Sequence, residues 1–380
     1  MDNNQNLKNE SYKDYMNRIS SESIPAYEPD VGKEELALLE DVINSNWISE
    51  GKYVRMFEEK LRIECNRQYA LAFNNCTAAL ITGMKSLGLG ANSEVIVQSL
   101  VHSADPNAIS AIGAKPVFTD IDEATLCLTP ENIDNVRTTK TKAVLYVSLY
   151  GNVSDLDSVT EYCNKNNLFL INDCAPALFG LYNNLPIASY GDFSALSFFS
   201  DKTITTGEGG MLLSNDVKII NESNIYKNDG RKERGVDLIE RKGFNYRLTE
   251  FQAAVGVAQL EKSSDFVKRK KENNKIFKSL LKNEKYVKVF EFNPKGDIVP
   301  HRNIVIVPDA KKLIDYLVRS GIGARSLFMP MHSQPAYNLK QNFSITEKMY
   351  KTGVCLPSAP SLTNDNIEYI CNSIKKFYAN

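Results

Sequence analysis

Short apolar runs alternate with helix-period segments along most of this chain. "YALAFNN" (69–75) reads as a strand, and "TAALITGMKSLGLG" (77–90) repeats its apolar positions at helical spacing and stops at glycine. "SEVIVQS", "KPVFTDI", "KAVLYVSLYG" and "LFLINDC" read as further strands, with "ADPNAISAIGA" and "DLDSVTEYCNKNN" as helices between them. "FSALSFF" and "GGMLLSN" add two strands after Asp192. Apolar strands separated by helices predict a mostly parallel sheet wrapped by helices, an α/β fold. Upstream, the segment from "IPAYEPDVGKEELALLEDVI" predicts a helix ending near Asn46. Downstream, "TEFQAAVGVAQLEKSSDFVKRKKENNKIFKSLLKN" (249–283) predicts one long helix leading into a smaller unit. There "RNIVIVPD", "AKKLIDYLVRSG" and "NDNIEYICNSIKKFY" indicate an α+β layer. The expected organisation is a polar arm at 1–23, a large domain at 24–265 and a small C-terminal domain at 266–380.

Composition narrows the function. The 380 residues carry 45 basic and 46 acidic side chains, a net charge of −1, so no basic face for nucleic acid is expected. No apolar run reaches the roughly 20 residues of a membrane span, and no membrane partner is expected. The N-terminus "MDNNQNLKNESYKDY" lacks an apolar signal core, which predicts a cytoplasmic protein. Seven cysteines without a CxxC pair suit reduced, buried thiols, and three scattered histidines give no metal-ligand spacing, so no metal is expected.

In an open α/β sheet, ligands gather at the carboxyl ends of the strands. Thr77 follows a strand and opens a helix, where free N–H groups and the dipole suit a phosphate; a plain N-cap explains it equally. Asp173 ends "LFLIND". It is either a turn carboxylate or the partner of a buried cation, because a lone charge there is costly to bury. His102 follows "VIVQSLV", and Ser197 precedes the Phe198–Phe199 pair. Lys202, beside those rings, is either one more solvated lysine or a partly desolvated amine able to form a Schiff base. Together, a phosphate cradle, an acidic strand end and an activated lysine are the parts that hold pyridoxal 5′-phosphate.

A family resemblance runs from about Ile24 to Phe377. Its most specific part is "SFFSDKTITTGEGGM" (197–211), supported by "NWISEGKYVRMFE", "NNCTAAL", "GAKPVFTDID", "NDCAPA", "GFNYRLTEFQAAVGVAQLE" and "GARSLFMPMHSQPAY". The chain resembles the DegT/DnrJ/EryC1/StrS sugar aminotransferases. That resemblance implies an aspartate aminotransferase-like (fold type I) large domain with a mixed, mostly parallel sheet.

Residue by residue, it implies that Lys202 is the Schiff-base lysine and proton carrier, and that Asp173 pairs with the ring nitrogen. Thr77, the Ala78 backbone and Ser197 would hold the phosphate. His102 would stack on the ring where relatives carry an aromatic residue. Asn245 would reach the cofactor of a neighbouring subunit, making the protein a homodimer with shared sites. Trp47, Ser49, Arg325 and His332 lie in segments similar to the family's substrate loops. The implied reaction moves an amino group from L-glutamate, through pyridoxamine phosphate, to a keto group of a nucleotide-linked deoxysugar, in cell-surface polysaccharide (O-antigen) synthesis. A small phosphorylated ketone as acceptor, a pyridoxamine phosphate-dependent 3-dehydratase and a non-catalytic cofactor-binding regulator are the other readings. Dehydratase relatives have histidine at the lysine position, and the 23-residue arm is short for a DNA-binding domain. The chain departs from the family pattern at Cys76 (usually Gly), Pro176 (usually Glu, Gln or His) and Glu50 (commonly small), while Asp201 and Arg302 have no role by resemblance.

Overall fold

The computed structural model describes residues 24–379; the expected arm at 1–23 lies outside them. Strands β1 (Tyr69–Phe73), β2 (Glu94–Gln98), β3 (Lys115–Thr119), β4 (Thr141–Val147) and β5 (Phe169–Asp173) come first in the main sheet. A short hairpin, β6 (Leu181–Tyr182) and β7 (Leu185–Pro186), precedes β8 (Phe193–Ser197) and β9 (Gly210–Ser214). The seven-stranded sheet has the order β1-β9-β8-β5-β4-β2-β3. All neighbours are parallel except β9, which runs antiparallel to both β8 and β1. Helices bridge the parallel steps β2 to β3 (Ala104–Ala111) and β4 to β5 (Leu156–Lys165), whereas β5 reaches β8 through the β6–β7 hairpin and the short turn Ile187–Ser189. Every residue of β2 and β9 is buried, as expected of strands covered on both faces.

The helix Glu250–Leu281 is 32 residues long and begins with a reciprocal cap between Thr249 and Gln252. Its buried Glu250 carboxylate accepts the N–H groups of Gly51, Tyr53 and Val54, each at 2.9 Å, and so caps the helix Lys52–Glu64. Ala253, Ala254 and Val257 pack into the main core, and Phe277 and Leu281 into a second. The expected boundary at 265/266 therefore falls inside a continuous helix.

The second core covers one face of a four-stranded antiparallel sheet. β10 (Lys288–Val289) precedes β11 (Gly296–Asp297), which joins the β6–β7 hairpin instead. β12 (Asn303–Ile306), β13 (Arg325–Ser326) and β14 (Gly353–Leu356) complete the order β10-β12-β14-β13. Helices Ala310–Arg319 and Asn364–Ala379 supply Leu313, Leu317, Ile367, Ile370 and Ile374. Ile24, expected in the large domain, packs here: its N–H donates to Gly321 O at 3.0 Å and its carbonyl accepts from Gly323 N–H at 2.8 Å. All seven cysteines are free and buried. Among the described residues no helix is long and apolar enough to cross a membrane.

Candidate active site

The carboxyl ends of β1, β5 and β8 open on a cavity of about 370 Å³. Its wall includes Asn75, Cys76, Thr77, His102, Asp105, Tyr150, Asp173, Pro176, Ser197, Asp201, Lys202, Glu208, His301, Arg325 and Phe328. Thr77, His102, Asp173, Ser197 and Lys202, which come from separate elements, thus face one space. Asp173 pairs in register with Val147 on one side and Ala195 on the other, which fixes its position at the strand end.

One wall is the start of the helix Cys76–Ser86. The Asn75 side chain caps it by accepting the Ala78 N–H at 2.8 Å, while the N–H groups of Cys76 and Thr77 have no partner among the described residues. The Ala78 N–H, expected to bind phosphate, is thus already engaged by Asn75. Strand β9 presses against this turn through Gly210: a Cβ there would sit 2.4 Å from the Asn75 carbonyl carbon and 2.5 Å from the Cys76 nitrogen. Only glycine allows that approach. Ser197, opposite Gly210 in the ladder, brings its hydroxyl to the same end.

The facing wall carries a charge cluster. Lys202 Nζ lies 3.2 Å from Asp201 Oδ1. Arg302, 1% exposed at its side chain, bonds Asp201 Oδ2 and donates to Ser358 Oγ at 3.2 Å. Arg325 Nη2 lies 3.6 Å from the same carboxylate, and His301 Nε2 lies 3.7 Å from Oδ1. Burial pushes the Asp201 carboxyl up, but His301, Lys202 and Arg302 outweigh it and hold the group well below the usual carboxylate range. Burial and then the Arg302 charge push the His301 imidazole down. Arg302 and Asp201, which have no role by resemblance, are thus each other's partners, joining the loop after β8 to the start of β12.

Two further carboxyls lie deeper. Asp173 is 5% exposed and its Oδ1 accepts the Ala175 N–H at 2.7 Å. Asp105 is 1% exposed, and its carboxyl is in hydrogen-bonding contact with that of Asp173. Sequence reasoning passed over Asp105 because an acidic residue in the first turn of a helix is ordinary. The His102 ring opens to the cavity 5.5 Å from Phe328; the surrounding protein and then the Lys202 charge push its pKa down.

Other residues singled out from the sequence lie elsewhere. Asn245 is exposed, bridges to Asn228 and does not line this cavity. Ser49 borders a separate depression with Arg231, Arg234 and Arg247. Trp47 is 60% exposed, and its indole donates to Glu50 O at 3.2 Å. His332 is buried against Ser99, with 2.7 Å between Nδ1 and Oγ, and does not line the cavity. Glu50 has a structural partner in Lys227, at 2.5 Å, and in Arg234.

The donor set fits pyridoxal phosphate: two unpaired N–H groups and two hydroxyls at one end, a buried carboxylate at another, and a lysine amine between domains. The comparisons with known proteins agree. The model of the DegT/DnrJ/EryC1/StrS aminotransferase family matches residues 29–375. GDP-perosamine synthase of Escherichia coli O157:H7 is 37% identical over 94% of this chain and 99% of its own length. The enzyme of that name from Vibrio cholerae is 34% identical over 93% and 99%. The motif "SFFSDKTITTGEGG" resembles that branch. Among solved structures, the aminotransferase TlmJ from Streptoalloteichus hindustanus superposes with a TM-score of 0.90 at 25% identity, covering 94% of this chain and 99% of that one. The chain belongs to the DegT/DnrJ/EryC1/StrS aminotransferase family and is a pyridoxal phosphate-dependent aminotransferase.

Proposed function

We propose that the enzyme takes an amino group from L-glutamate and places it on a keto group of a nucleotide-linked deoxysugar used in cell-surface polysaccharide synthesis. The observation that carries this reading is that Lys202, Asp173, Thr77 and Ser197 line a single cavity at the strand ends. The 37% identity to a GDP-perosamine synthase supports the sugar class.

Bound pyridoxal phosphate supplies the electron sink for the carbon that loses its proton. Thr77, Ser197 and the unpaired N–H groups at the helix start hold the phosphate. Asp173 would pair with the ring nitrogen and oppose its positive charge. Lys202 Nζ would take the proton from the substrate carbon and, as a single base, give it back from the same face. Arg325, with a side chain 41% exposed beside the cavity, offers a fork for the carboxylate of the amino donor. Asn245 is exposed, does not line its own cavity and serves that of a second copy, so the working unit is a homodimer.

The test is direct. Purified protein loaded with cofactor is mixed with L-glutamate; the visible absorbance of the Lys202-bound form falls and one equivalent of 2-oxoglutarate appears. A panel of keto-sugar nucleotides then identifies the acceptor by mass. An unchanged spectrum with glutamate and every other amino donor overturns the reading. For the dimer, mixing inactive Lys202→Ala and Asn245→Ala subunits restores part of the activity if sites are shared.

A further inference from the structure

Asp105 is the buried acid that none of these steps uses. It sits in the first turn of the helix Ala104–Ala111, two residues after the Ser103 that follows His102, and lines the cavity with its carboxyl against Asp173. Its Oδ1 is buried without a hydrogen-bond partner among the described residues. Neither Asp105 nor Asp173 forms an ion pair among the described residues. Two carboxylates cannot both stay charged in contact and out of water without such a partner. Asp173 has an N–H donor, from Ala175, on one oxygen. Asp105 has none on its orphaned oxygen, so Asp105 is the one that keeps a proton.

We propose that Asp105 is a positioning residue for Asp173: it carries a proton and donates it to the Asp173 carboxylate, so the pair presents one negative charge to the cavity. That single charge matches the single positive charge of a protonated ring nitrogen, and the hydrogen bond fixes the carboxylate facing it. The groups around Asp105 agree. Burial and the Asp173 charge push its carboxyl well above the usual range, and only the Lys202 charge and a backbone N–H pull the other way. Cys76 is pushed toward its neutral thiol by burial and then by the Asp173 charge. His102, on the same loop, is pushed toward its neutral form.

This inference rests on the cofactor reading, so its test has one arm that needs no cofactor. Asp105→Asn keeps the shape and a donor but removes the titrating proton. A buried acid whose folded pKa is raised costs stability progressively as pH climbs above its unfolded value of 3.8. In the cofactor-free protein, the melting temperature of Asp105→Asn therefore gains on wild type between pH 5 and 8, by about 3 °C or more. A difference that stays flat across that range overturns the proton assignment. The second arm titrates pyridoxal phosphate into each protein by visible absorbance. Asp105→Asn binds within about threefold of wild type, whereas Asp105→Ala and the bulkier Asp105→Val bind at least about tenfold more weakly, the loss of one charge-assisted hydrogen bond. Wild-type affinity in both Ala and Val variants overturns the positioning role. Failure of wild type itself to take up the cofactor sinks the cofactor reading instead, and the pH arm still decides the proton.

Discussion

Asp105 and Asp201 are the same residue type on the wall of the same cavity, and the protein holds them in opposite states. Asp201 is ringed by Lys202, Arg302, Arg325 and His301 and is kept charged despite 9% side-chain exposure. Asp105 meets another carboxyl and no paired cation, and is kept neutral. Burial acts on both in the same direction; the neighbours decide the outcome. The acidic residue beside the lysine therefore belongs to a tether between domains, while the acid in the helix turn serves the cofactor face.

The largest expected effect separates chemistry from the tether. Lys202→Ala removes the amine and one of the cations around Asp201. Turnover falls by about 10²–10⁴-fold in a coupled assay, yet the fold survives because Arg302 still holds Asp201; a collapsed melting curve would show that Lys202, not Arg302, is the main anchor. Next, Arg302→Met strips Asp201 of its buried partner and costs about 3 kcal/mol in denaturant unfolding. Combining it with Asp201→Asn recovers much of that loss; simple additivity of the two would mean the residues are not coupled.

Acid and base titration should pull the two carboxyls apart. The Asp201 contribution is present above its unfolded value of 3.8 and is lost as pH falls below it. Lys270 adds the reverse case: burial and then the Arg302 charge lower its amine to about 7, and it donates to Ser358 O at 3.0 Å. A lysine neutral in the fold but charged when unfolded makes stability rise with pH between about 7 and 10.5, by at most about 1.4 kcal/mol per unit. Lys270→Met should flatten that rise in melting curves taken across the range. The smallest effect is at His102. His102→Phe keeps a flat ring over the cavity, while His102→Ala weakens cofactor binding about three- to tenfold, the worth of one ring contact.

Much of the large domain was legible in the sequence because buried parallel strands announce themselves as unbroken apolar runs. The turn back into β9 was legible too, in "TTGEGG", where Gly207 has φ +78°; its antiparallel place between β8 and β1 was not, since that depends on Gly210 closing against Asn75. The helix Lys52–Glu64 was not anticipated either; its cap is Glu250, far along the chain. The place of Ile24 in the small domain depends on an equally distant contact with Gly321. In the site, Lys202, Asp173, Thr77, Ser197 and His102 could be gathered from the sequence because each follows a strand. The Asp201–Arg302 pair spans 101 positions and neither residue sits in a motif that requires the other. His332 illustrates the converse: it lies in a segment similar to a substrate loop, but the turn Met331–Ser333 folds its ring inward against Ser99 and Phe343.

The long helix has a consequence for how the chain is made. Its first half packs into the main core and its second half into the next, and residues as late as Cys355 also enter the main core, so a nascent chain on the ribosome cannot finish that core until well after the helix has emerged. Ile24 is synthesised among the earliest described residues and must wait for Gly321 and Gly323 before it docks. The segment leading from it into the first helix stays uncommitted for most of synthesis. Biogenesis of this enzyme thus includes a late stitch between Ile24 and the Gly321–Gly323 turn, and loss of that turn leaves Ile24 without its core.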